Sequence, residues 1–505
     1  AGSNDADEAR LGSWIEAGQA KFRLWAPTAQ RVELYLYDAQ KRPLPQDPIT
    51  LTEDPDTGIW RHDGDASLQG SYYRYRVQVF HHKTGKLEWV TTTDPYSLSL
   101  STGSRYSQLV DMAQAQTKPD GWDSQTVPPI NKPEDNILYE LQIHDFSMND
   151  SKGTRALNGK YLAFTEGERD SVKHLQSLRE AGLNTIHLMP SYDIASLPED
   201  PRQRMDLDDD ISKLCDAQQG INPKAAICSK ASSGTLQSIL ASLDPTTGDA
   251  QQLMADIRPI DGYNFGYDPY HYTAPEGSYA NDSEGMPRIR EYRTMVKTLH
   301  DMGFRVIQDV VYNHTFASAL YNNSVLDKVV PGYYHRRNPD NGYVENSTCC
   351  DNTASEHRMF SKLFTDSLVT WAQQYKIDGF RFDLMGFLMR ADVERAFNEV
   401  KKVDPDTWFY AEGWDFGETA NNARGVNGTQ WNMAGSGFGS YNDRLRDAVR
   451  GANSDPMNDV PGYANAGDRF DAAMNAKMDL VRLGMTGSLQ DYPLPTASGS
   501  TVLGK

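Results

Sequence analysis

The sequence predicts an α/β protein in which a (β/α)8 barrel, incomplete in this chain, follows an all-β sandwich. Short runs of alternating polar and apolar residues, separated by Pro, Gly and Asp, fill residues 20–110. From residue 136 onward, apolar strands alternate with amphipathic helices, an order that demands a parallel sheet. The 505 residues exceed one ordinary domain but fit a barrel with an appended domain.

Residues 1–112 are predicted to form the β-sandwich. Its strands are expected in "KFRLWAP", "RVELYLYD", "GIWRHDGD" and "SYYRYRVQVF". These runs alternate with the period of two that is typical of a half-buried antiparallel strand. A polar segment that contains several prolines follows over 113–135, and we interpret it as a linker.

The barrel is predicted over 136–505. Because no glycine-rich phosphate loop occurs, the repeats favour a barrel over a doubly wound sheet. Long insertions, at about 191–262 and about 315–358, follow the second and third strands, on the face where barrels build active sites. The strands are expected in "NILYELQIHDFS", "NTIHLMPSYDI", "RVIQDVVYNH", "DGFRFDLMG" and "WFYAEGWD", and the helices in "SVKHLQSLREAGL", "RIREYRTMVKTLHDMG", "FSKLFTDSLVTWAQQYK" and "ADVERAFNEVKKV".

The composition excludes several classes of partner. A net charge of −19, from 50 basic and 69 acidic residues, argues against nucleic acid and suits a soluble protein with a neutral ligand. No apolar stretch is long enough to span a membrane. The N-terminal "AGSNDADEAR" lacks the basic and apolar regions of a signal peptide, so any secretion signal is expected to be absent from this chain.

The four cysteines suggest an oxidising compartment. Cys215 and Cys228 flank a polar stretch and are expected to form a disulfide. Zinc is the alternative, but C-x-x-C spacing and a nearby His are both missing. Cys349 and Cys350 are adjacent, so a bond between them would be strained.

One acidic run could bind a cation. "DLDDD" (206–210) offers oxygens to calcium, but it lacks the EF-hand glycine and terminal glutamate. A solvated acidic loop is the preferred interpretation. The sequence does not identify metal ligands.

Charged residues follow three successive predicted strands. Asp309 and His314 follow the third, Arg381 and Asp383 the fourth, and Glu412 the fifth. The ends of these strands converge at the C-terminal mouth of a barrel, where barrel chemistry takes place. A buried ion pair would explain Arg381 and Asp383 alone. Carboxylates at three strand ends are harder to explain as packing, because like charges gathered in one cleft cost stability.

This arrangement indicates cleavage of an acetal. One carboxylate attacks the oxocarbenium-like centre, and the other donates a proton to the leaving oxygen. Arg381 is expected to hold Asp383 ionised as the nucleophile. Glu412 is expected to carry the proton, with its pKa raised by the neighbouring negative charge.

Several segments resemble a known family. "DVVYNH" (309–314), "GFRFDLMG" (379–386) and "AEGWD" (411–415) resemble the first three sequence regions of the α-amylase superfamily, glycoside hydrolase family 13. "YNFGYDP" (263–269) resembles the YNWGYDP signature of type I pullulanases, with Phe265 in place of Trp. "STCCDNTASEHRMF" and "YELQIHDFSMND" resemble the Gram-negative pullulanase branch, and the sandwich resembles the family 48 carbohydrate-binding module.

The resemblance implies roles for individual residues. Asp383 matches the family nucleophile, Glu412 the general acid/base, and Arg381 the arginine beside the nucleophile. Trp414 is a candidate for a neighbouring subsite, with core packing as the alternative. The other substrate-binding residues that it implies are Asp309, His314, Tyr267 and Asp268.

The resemblance also implies an activity and a setting. It implies a retaining hydrolase of α-1,6 links in pullulan, amylopectin and limit dextrins, with branched α-glucans and maltooligosaccharides as ligands. The chemistry needs no cofactor, and structural calcium is left open. A monomer that is secreted or displayed on a bacterial cell surface is expected.

The chain departs from the family at its fourth region. No His occurs after His357, and no H-D-N motif follows. We therefore expect a fragment with five to six of eight strands, whose transition-state aspartate and its histidine lie beyond residue 505. Two alternatives stay open: an α-glucan branching or transglycosylating enzyme, or a non-catalytic glucan-binding protein if the missing part is truly absent.

Overall fold

The structure, a computed structural model, describes residues 5–45, 48–451, 460–467 and 471–504. The N-terminal part forms two antiparallel sheets, in the orders β1-β2-β6-β5 and β4-β3-β7-β8, with β9 paired to β7. Apolar side chains at alternate positions of these strands fill the space between the sheets. The strands are β1 (Gly12–Glu16), β2 (Gln19–Trp25), β3 (Ala29–Tyr37), β4 (Ile49–Thr50), β5 (Thr52–Asp54), β6 (Ile59–Asp65), β7 (Tyr72–His81), β8 (Lys86–Thr92) and β9 (Ser107–Gln108).

The remaining described residues alternate between strands and helices. They form β10 (Leu138–Leu141), α1 (Ile143–Ser147), α2 (Asp170–Glu180), β11 (Thr185–Leu188), β12 (Tyr192–Ile194), α3 (Ser212–Cys215), α4 (Leu236–Ser242), α5 (Asp249–Ile257), β13 (Pro269–Pro275), α6 (Met286–Asp301), β14 (Arg305–Val310), β15 (His314–Thr315), α7 (Leu326–Val329), β16 (Asp351–Asn352), α8 (Arg358–Tyr375), β17 (Gly379–Phe382), α9 (Arg390–Lys401), β18 (Trp408–Ala411), β19 (Gly439–Ser440), α10 (Asp443–Arg450), α11 (Ala472–Met485), β20 (Pro493–Pro495) and β21 (Thr501–Leu503).

A parallel sheet in the order β10-β11-β14-β17-β18-β19 forms the second part. Its strands β11, β14 and β17 are buried along their whole length, as parallel strands covered on both faces are. Each of the first four crossovers contains a helix, namely α2, α6, α8 and α9. The predicted fold class is therefore confirmed: an all-β domain precedes an incomplete parallel-strand barrel.

All five predicted strands of the sheet end earlier than predicted, and the last residues of β10, β11, β14, β17 and β18 are Leu141, Leu188, Val310, Phe382 and Ala411. The prediction that the first strand runs to Ser147 is wrong, because α1 begins at Ile143. The Gln142 side chain accepts the backbone N–H of Asp145 at 2.7 Å and caps this helix. The second strand ends at Leu188, and Tyr192–Ile194 pairs antiparallel with β13 instead. Alternation of apolar residues cannot reveal such local side-chain competition.

The sandwich and the segment over 113–135 are attached firmly to the barrel. Trp25, at the end of β2, lies with its ring centroid 4.8 Å from that of Tyr333. Trp122 is buried, and its carbonyl accepts a hydrogen bond from Lys376 Nζ at 2.6 Å. The Arg293 guanidinium lies 5.4 Å from the Trp122 ring. Within the segment predicted as a linker, Thr117 and Trp122 are thus buried, while the other residues are exposed or partly buried.

The insertion after the second strand is folded, although its polar sequence suggested a loop. It contains α3, α4 and α5, and Cys215 is bonded to Cys228 with a Cα–Cα distance of 5.2 Å. Cys349 and Cys350 are also bonded to each other. The insertion has its own hydrophobic cluster, formed by Met205, Ile211, Leu214, Ala225, Ile227, Leu236, Leu253 and Ile257.

Three of the four aspartates in the acidic run at 206–210 pair with neighbouring cations, and Asp210 accepts two backbone N–H groups. Asp208 forms an ion pair with Arg155 at 2.8 Å, and Asp209 pairs with Lys213 at 2.5 Å. Asp206 pairs with an arginine in the same loop. The run therefore needs no bound calcium to be explained. Among the described residues, no helix combines the length and apolarity needed to cross a membrane.

Removing the disulfide of the insertion should loosen it. The Cys215–Cys228 bond closes a loop with a sequence separation of 13, and such a loop contributes about 3 kcal/mol in the chain-entropy model. We expect the double variant Cys215→Ser, Cys228→Ser to be cut faster within 194–263 in limited proteolysis, with Ser229→Ala as the control. Free thiols at both positions in exported protein, found by mass spectrometry without reduction, would contradict the bonded state.

Candidate active site

Arg381, on β17, contacts three carboxylates at once. Its Nη1 atom donates to both oxygens of Asp309 at 3.0 Å and lies 3.4 Å from Asp383 Oδ1. Its Nη2 atom lies 2.8 Å from Glu412 Oε1. The residues meet because β14, β17 and β18 are adjacent parallel strands, with Asp309 opposite Arg381 in the register. The structure therefore brings together the charged groups predicted at the three strand ends.

Asp383 lies directly after β17 in a buried position. Asn313 Nδ2 donates to Asp383 Oδ2 and to its carbonyl oxygen, both at 2.8 Å. Burial and the negative charge of Asp309 raise the pKa of Asp383 to about 7, and Arg381 opposes this only in part. Arg381 favours the ionised form of Asp383, as predicted, but its one guanidinium is shared among three carboxylates.

Glu412 is the most accessible of the three carboxylates. Its side chain is 23% exposed, against 12% for Asp383 and 0% for Asp309. Leu384 follows Asp383 in the left-handed region at φ 42°, which L-residues rarely adopt. This turn directs the Leu384 N–H to within 3.4 Å of Glu412 Oε2. Glu412 is therefore the carboxylate that an entering ligand would meet first.

Tyr267 and His314 close one side of the site. The Tyr267 hydroxyl donates to Asp309 Oδ2 at 2.8 Å. His314 Nε2 lies 2.8 Å from the Tyr267 carbonyl oxygen, and its Nδ1 lies 2.5 Å from Asn313 Oδ1. Asn313 thereby links His314 to Asp383. Both ring nitrogens of His314 are engaged by protein groups.

Trp414 and Asp268 lie outside this cluster. Trp414 is half-buried and lines an open cleft of about 930 Å³, together with the largely exposed Trp431. The Arg446 guanidinium lies 5.6 Å from the Trp414 ring. Asp268 Oδ2 accepts hydrogen bonds from Ser196 at 2.5 Å and from a neighbouring asparagine of its own loop. Trp414 thus faces solvent in a cleft. Asp268 stabilises the loop to which Asp268 itself belongs.

Three residues that lie against the charged cluster were not predicted from the sequence, namely Asn313, His187 and Tyr441. Asn313 lies within the "DVVYNH" segment but was assigned no part in it. His187, on β11, places Nε2 3.5 Å from Asp309 Oδ2, and a buried histidine inside an apolar strand is the signal that could have indicated it. The Arg381 guanidinium lies 5.8 Å from the Tyr267 ring and 5.6 Å from that of Tyr441. Tyr441 carries no sequence signal.

A second group of buried carboxylates lies near the barrel mouth. Asp193, Glu199 and Glu276 bring their oxygens together, as a cation site would. Each already accepts from a protein group: Asp193 lies 2.6 Å from His271 Nδ1, and Glu199 pairs with Arg288 at 2.9 Å. Two backbone N–H groups donate to Glu276 at 2.7 Å. These contacts satisfy the carboxylates without a metal ion.

The loops that carry the acidic residues are held together by a close approach at Gly386. A Cβ atom there would lie 2.0 Å from the Trp414 carbonyl oxygen. No side chain fits at that distance without a shift of the backbone. The loop after β17 is therefore fixed against the loop after β18.

Gly386→Ala should destabilise the folded protein. The added methyl group would force the two loops apart, and overpacking of this kind costs about 1–3 kcal/mol. Gly167→Ala is the control, because nothing lies within 4 Å of its Cβ position. The free energy of unfolding in urea measures both variants. Equal values for the two would mean that the loops do not meet as described.

Two family models match the chain. Residues 10–97 match Carbohydrate-binding module 48 (Isoamylase N-terminal domain), which covers the strands of the sandwich up to β8. Residues 194–263 match the Pullulanase Ins domain, which covers the insertion with the disulfide.

The chain is similar to proteins named as pullulanases. It is 39% identical to a pullulanase of Klebsiella pneumoniae over 99% of this chain and 47% of that protein. It is 38% identical to the chloroplastic pullulanase 1 of Arabidopsis thaliana over 98% of this chain and 50% of that protein. The chain thus spans about half the length of the curated relatives it matches.

Solved structures agree with this similarity. The Klebsiella pneumoniae pullulanase complexed with maltotriose matches with a TM-score of 0.94 at 39% identity, over 99% of this chain and 49% of that one. The Paenibacillus barengoltzii pullulanase complexed with maltohexaose and alpha-cyclodextrin matches with a TM-score of 0.72 at 28% identity, over 97% of this chain and 65% of that one. Over nearly its whole length the chain is therefore similar to part of these pullulanases, and it contains matches to a carbohydrate-binding module and to a pullulanase insertion domain.

Proposed function

We propose that the protein is a starch-debranching hydrolase that cleaves α-1,6-glucosidic links in pullulan, amylopectin and limit dextrins. The observation that carries this proposal is the single guanidinium of Arg381 that holds Asp309, Asp383 and Glu412 at the mouth of the barrel. The named relatives and their complexes with maltotriose and maltohexaose support an α-glucan ligand. A branching enzyme is not favoured, since these relatives are pullulanases.

The first half of the reaction uses the carboxyl groups of Asp383 and Glu412. Asp383 attacks the anomeric carbon, and Glu412 gives its proton to the glycosidic oxygen as the bond to that oxygen breaks. The product is a glycosyl ester on Asp383 and a free chain end. Glu412 suits proton donation because it is the most exposed of the three carboxylates.

The second half reverses these roles. Glu412, now a carboxylate, takes a proton from water, and the oxygen of that water attacks the anomeric carbon of the glycosyl ester. Asp383 leaves as a carboxylate, and Glu412 is protonated again. Two displacements at one carbon retain the anomeric configuration.

The charge balance of the cluster supports this cycle. Three carboxylates face one guanidinium, so holding one proton among them relieves repulsion. The raised pKa of Asp383 is one expression of this balance. We infer that when the sugar enters, the proton moves to Glu412 beside the glycosidic oxygen, which leaves the ionised Asp383 beside Arg381.

Neighbouring residues are proposed to hold the substrate. Tyr267 would stack on the sugar at the cleaved position, and Asp309 and His314 would contact its hydroxyls by exchanging their present protein partners, Arg381 and Asn313, for the ligand. Trp414 would contact a glucose unit in the adjoining cleft, and Asp268 would position the loop of Tyr267. Flat sugar faces bind well to such aromatic rings.

We also propose a cofactor requirement, a cellular location and an oligomeric state for the enzyme. The reaction needs no cofactor, because both carboxylates belong to the chain. Disulfides suit an oxidising compartment, which supports a protein secreted from, or displayed on, a bacterial cell. We propose a monomer. The contacts of the acidic groups described above give structural calcium no support.

Replacing either carboxylate should abolish turnover but not binding. Asp383→Asn removes the nucleophile, and Glu412→Gln removes the proton donor. We expect pullulan hydrolysis by the full-length protein to fall about a thousandfold or more in each, while maltotriose still binds in calorimetry. Glu399→Gln, on the surface of α9, is the control. A first product of inverted configuration by NMR, or carboxyl groups much farther apart than the roughly 5–5.5 Å of retaining enzymes, would refute the mechanism.

Asp383→Asn should change the dependence of stability on pH. An unfolded aspartate ionises near pH 4, but folding raises the pKa of Asp383 to about 7. Between these values the folded state binds more protons, so Asp383 lowers stability as pH rises. We expect the variant to gain thermal stability over the parent at pH 8 and to match it near pH 4. A gain that does not grow with pH would contradict this.

A further inference from the structure

A larger cleft lies where the sandwich, the insertion and the barrel meet. Its volume is about 1540 Å³. Its walls come from β7 and β8 of the sandwich, the loop over 102–105, the start of the insertion over 194–203, β13, and the segment over 322–328. It also includes Asp268, next to Tyr267 in the chain. The mechanism described above leaves most of this cleft unused.

Four cations that line this cleft lack a carboxylate partner among the described residues, and one of them, Arg258, belongs to the insertion. The other three, Arg74, Arg105 and Lys328, form no ion pair within the described ranges, although the whole chain has a net charge of −19. Lys328 is only 8% exposed, and its Nζ donates to the Asn322 carbonyl oxygen at 3.1 Å. Burial and the charge of Arg74 lower the pKa of Lys328 to about 8. Keeping a buried cation beside another cation costs stability.

Arg74, Arg105 and Lys328 converge around Tyr270. Its hydroxyl lies 3.4 Å from the same Asn322 carbonyl oxygen that Lys328 contacts. Burial and the negative charge of Asp193 raise the pKa of this hydroxyl, and the charges of Arg105 and Arg74 lower it. The Arg74 guanidinium lies 5.1 Å from the Tyr106 ring, which holds it at the cleft wall. The positive groups are therefore gathered at one end of the cleft.

Some of the other charged groups in the lining are paired, whereas the carboxylates of Asp261 and Asp268 accept hydrogen bonds from neutral donors and form no ion pair within the described residues. Arg202 forms an ion pair with Asp200 at 2.7 Å. Glu199 pairs with the buried Arg288 at 2.9 Å, and Glu284 pairs with a lysine of the sandwich. The carboxylates of these pairs are thus engaged elsewhere and do not neutralise the three cations.

A buried hydroxyl group at the same wall also lacks a partner. Ser324 is 2% exposed, and its Oγ forms no hydrogen bond within the described part of the chain. An unsatisfied buried hydroxyl costs free energy that a ligand oxygen could recover. Ser324 lies four residues before Lys328 and lines the same cleft. This observation is independent of the charges and also indicates a polar ligand.

We infer that this cleft binds a saccharide that carries a phosphate monoester. Phosphate offers the charge and the several acceptor oxygens that Arg74, Arg105 and Lys328 require. The rest of the lining suits a sugar, since it offers many hydroxyl and amide groups together with the exposed ring of Phe316. The ligand is either a soluble hexose phosphate or a phosphorylated α-glucan. This site is separate from the proposed hydrolysis and does not depend on it.

Calorimetry at low salt tests this inference on the chain of 505 residues. The probes are glucose, glucose 6-phosphate, inorganic phosphate, and a phosphorylated limit dextrin before and after phosphatase treatment. We expect each phosphorylated saccharide to bind at least about tenfold more tightly than its neutral counterpart. Comparing the hexose phosphate with the dextrin tells which source is bound.

Variants locate the binding in the cleft. Lys328→Met and Arg105→Gln should each weaken binding of the phosphorylated probe about tenfold. Arg105 is exposed, so its variant should fold even if the Lys328 variant does not. Arg202→Gln is the matched control, because it lines the same cleft but is paired with Asp200, and it should bind as the parent does.

Three results would overturn the inference. Phosphorylated and neutral probes could bind equally, in which case the cleft does not select phosphate. Inorganic phosphate could bind as tightly as glucose 6-phosphate, in which case the sugar is not recognised. Arg202→Gln could lose as much affinity as Arg105→Gln, in which case general charge and not this cluster attracts the ligand. Each is distinguishable from a failure of the proposed hydrolysis, since none of these measurements involves turnover.

Discussion

The sharing of Arg381 among three carboxylates is the interaction on which the rest of the site depends. Removing the cation would leave buried carboxylates uncompensated, and losing one partner of a buried pair costs about 3–5 kcal/mol. Arg381 also lies between the rings of Tyr267 and Tyr441, so its position is fixed on two sides. The register of three parallel strands brings the acidic groups to it. The fold therefore positions the charged groups, and their ion pairs with Arg381 in turn stabilise the fold.

The sharing of one guanidinium among three carboxylates also bears on the two proposed roles, the general acid and the nucleophile. One guanidinium cannot neutralise three carboxylates, and burial together with the charge of Asp309 raises the pKa of Asp383 accordingly. General acid catalysis needs a protonated carboxyl group, and nucleophilic attack needs a carboxylate without a proton. The left-handed turn at Leu384 and the close approach at Gly386 keep the two loops in contact. The backbone that carries Asp383 and Glu412 is thus fixed while the charge on their carboxyl groups changes.

The sequence predicted the existence of the elements better than their ends. Long apolar runs and amphipathic helices identified the parallel sheet, because burial on both faces imposes that pattern. The end of the first strand was wrong because the side chain of Gln142 caps a helix there, which periodicity does not register. The helices of the insertion were missed because its hydrophobic cluster is dispersed among polar residues.

The motifs indicated Asp309, Arg381, Asp383 and Glu412, and the structure brings them together. The way they share one cation depends on distances that spacing along the chain does not contain. Arg74, Arg105 and Lys328 are far apart in sequence, so only the fold could reveal that they line one cleft.

Trapping the covalent intermediate tests the central claim most directly. A fluorinated glycosyl fluoride that forms the ester quickly but releases it slowly would label the nucleophile of the full-length protein. Peptide mass spectrometry then locates the sugar. The account predicts one labelled residue, Asp383, in the peptide that contains "GFRFDLMG". A label on Glu412 or Asp309, or turnover of the reagent with no labelled peptide at any time, would contradict the assignment of nucleophile and acid around Arg381.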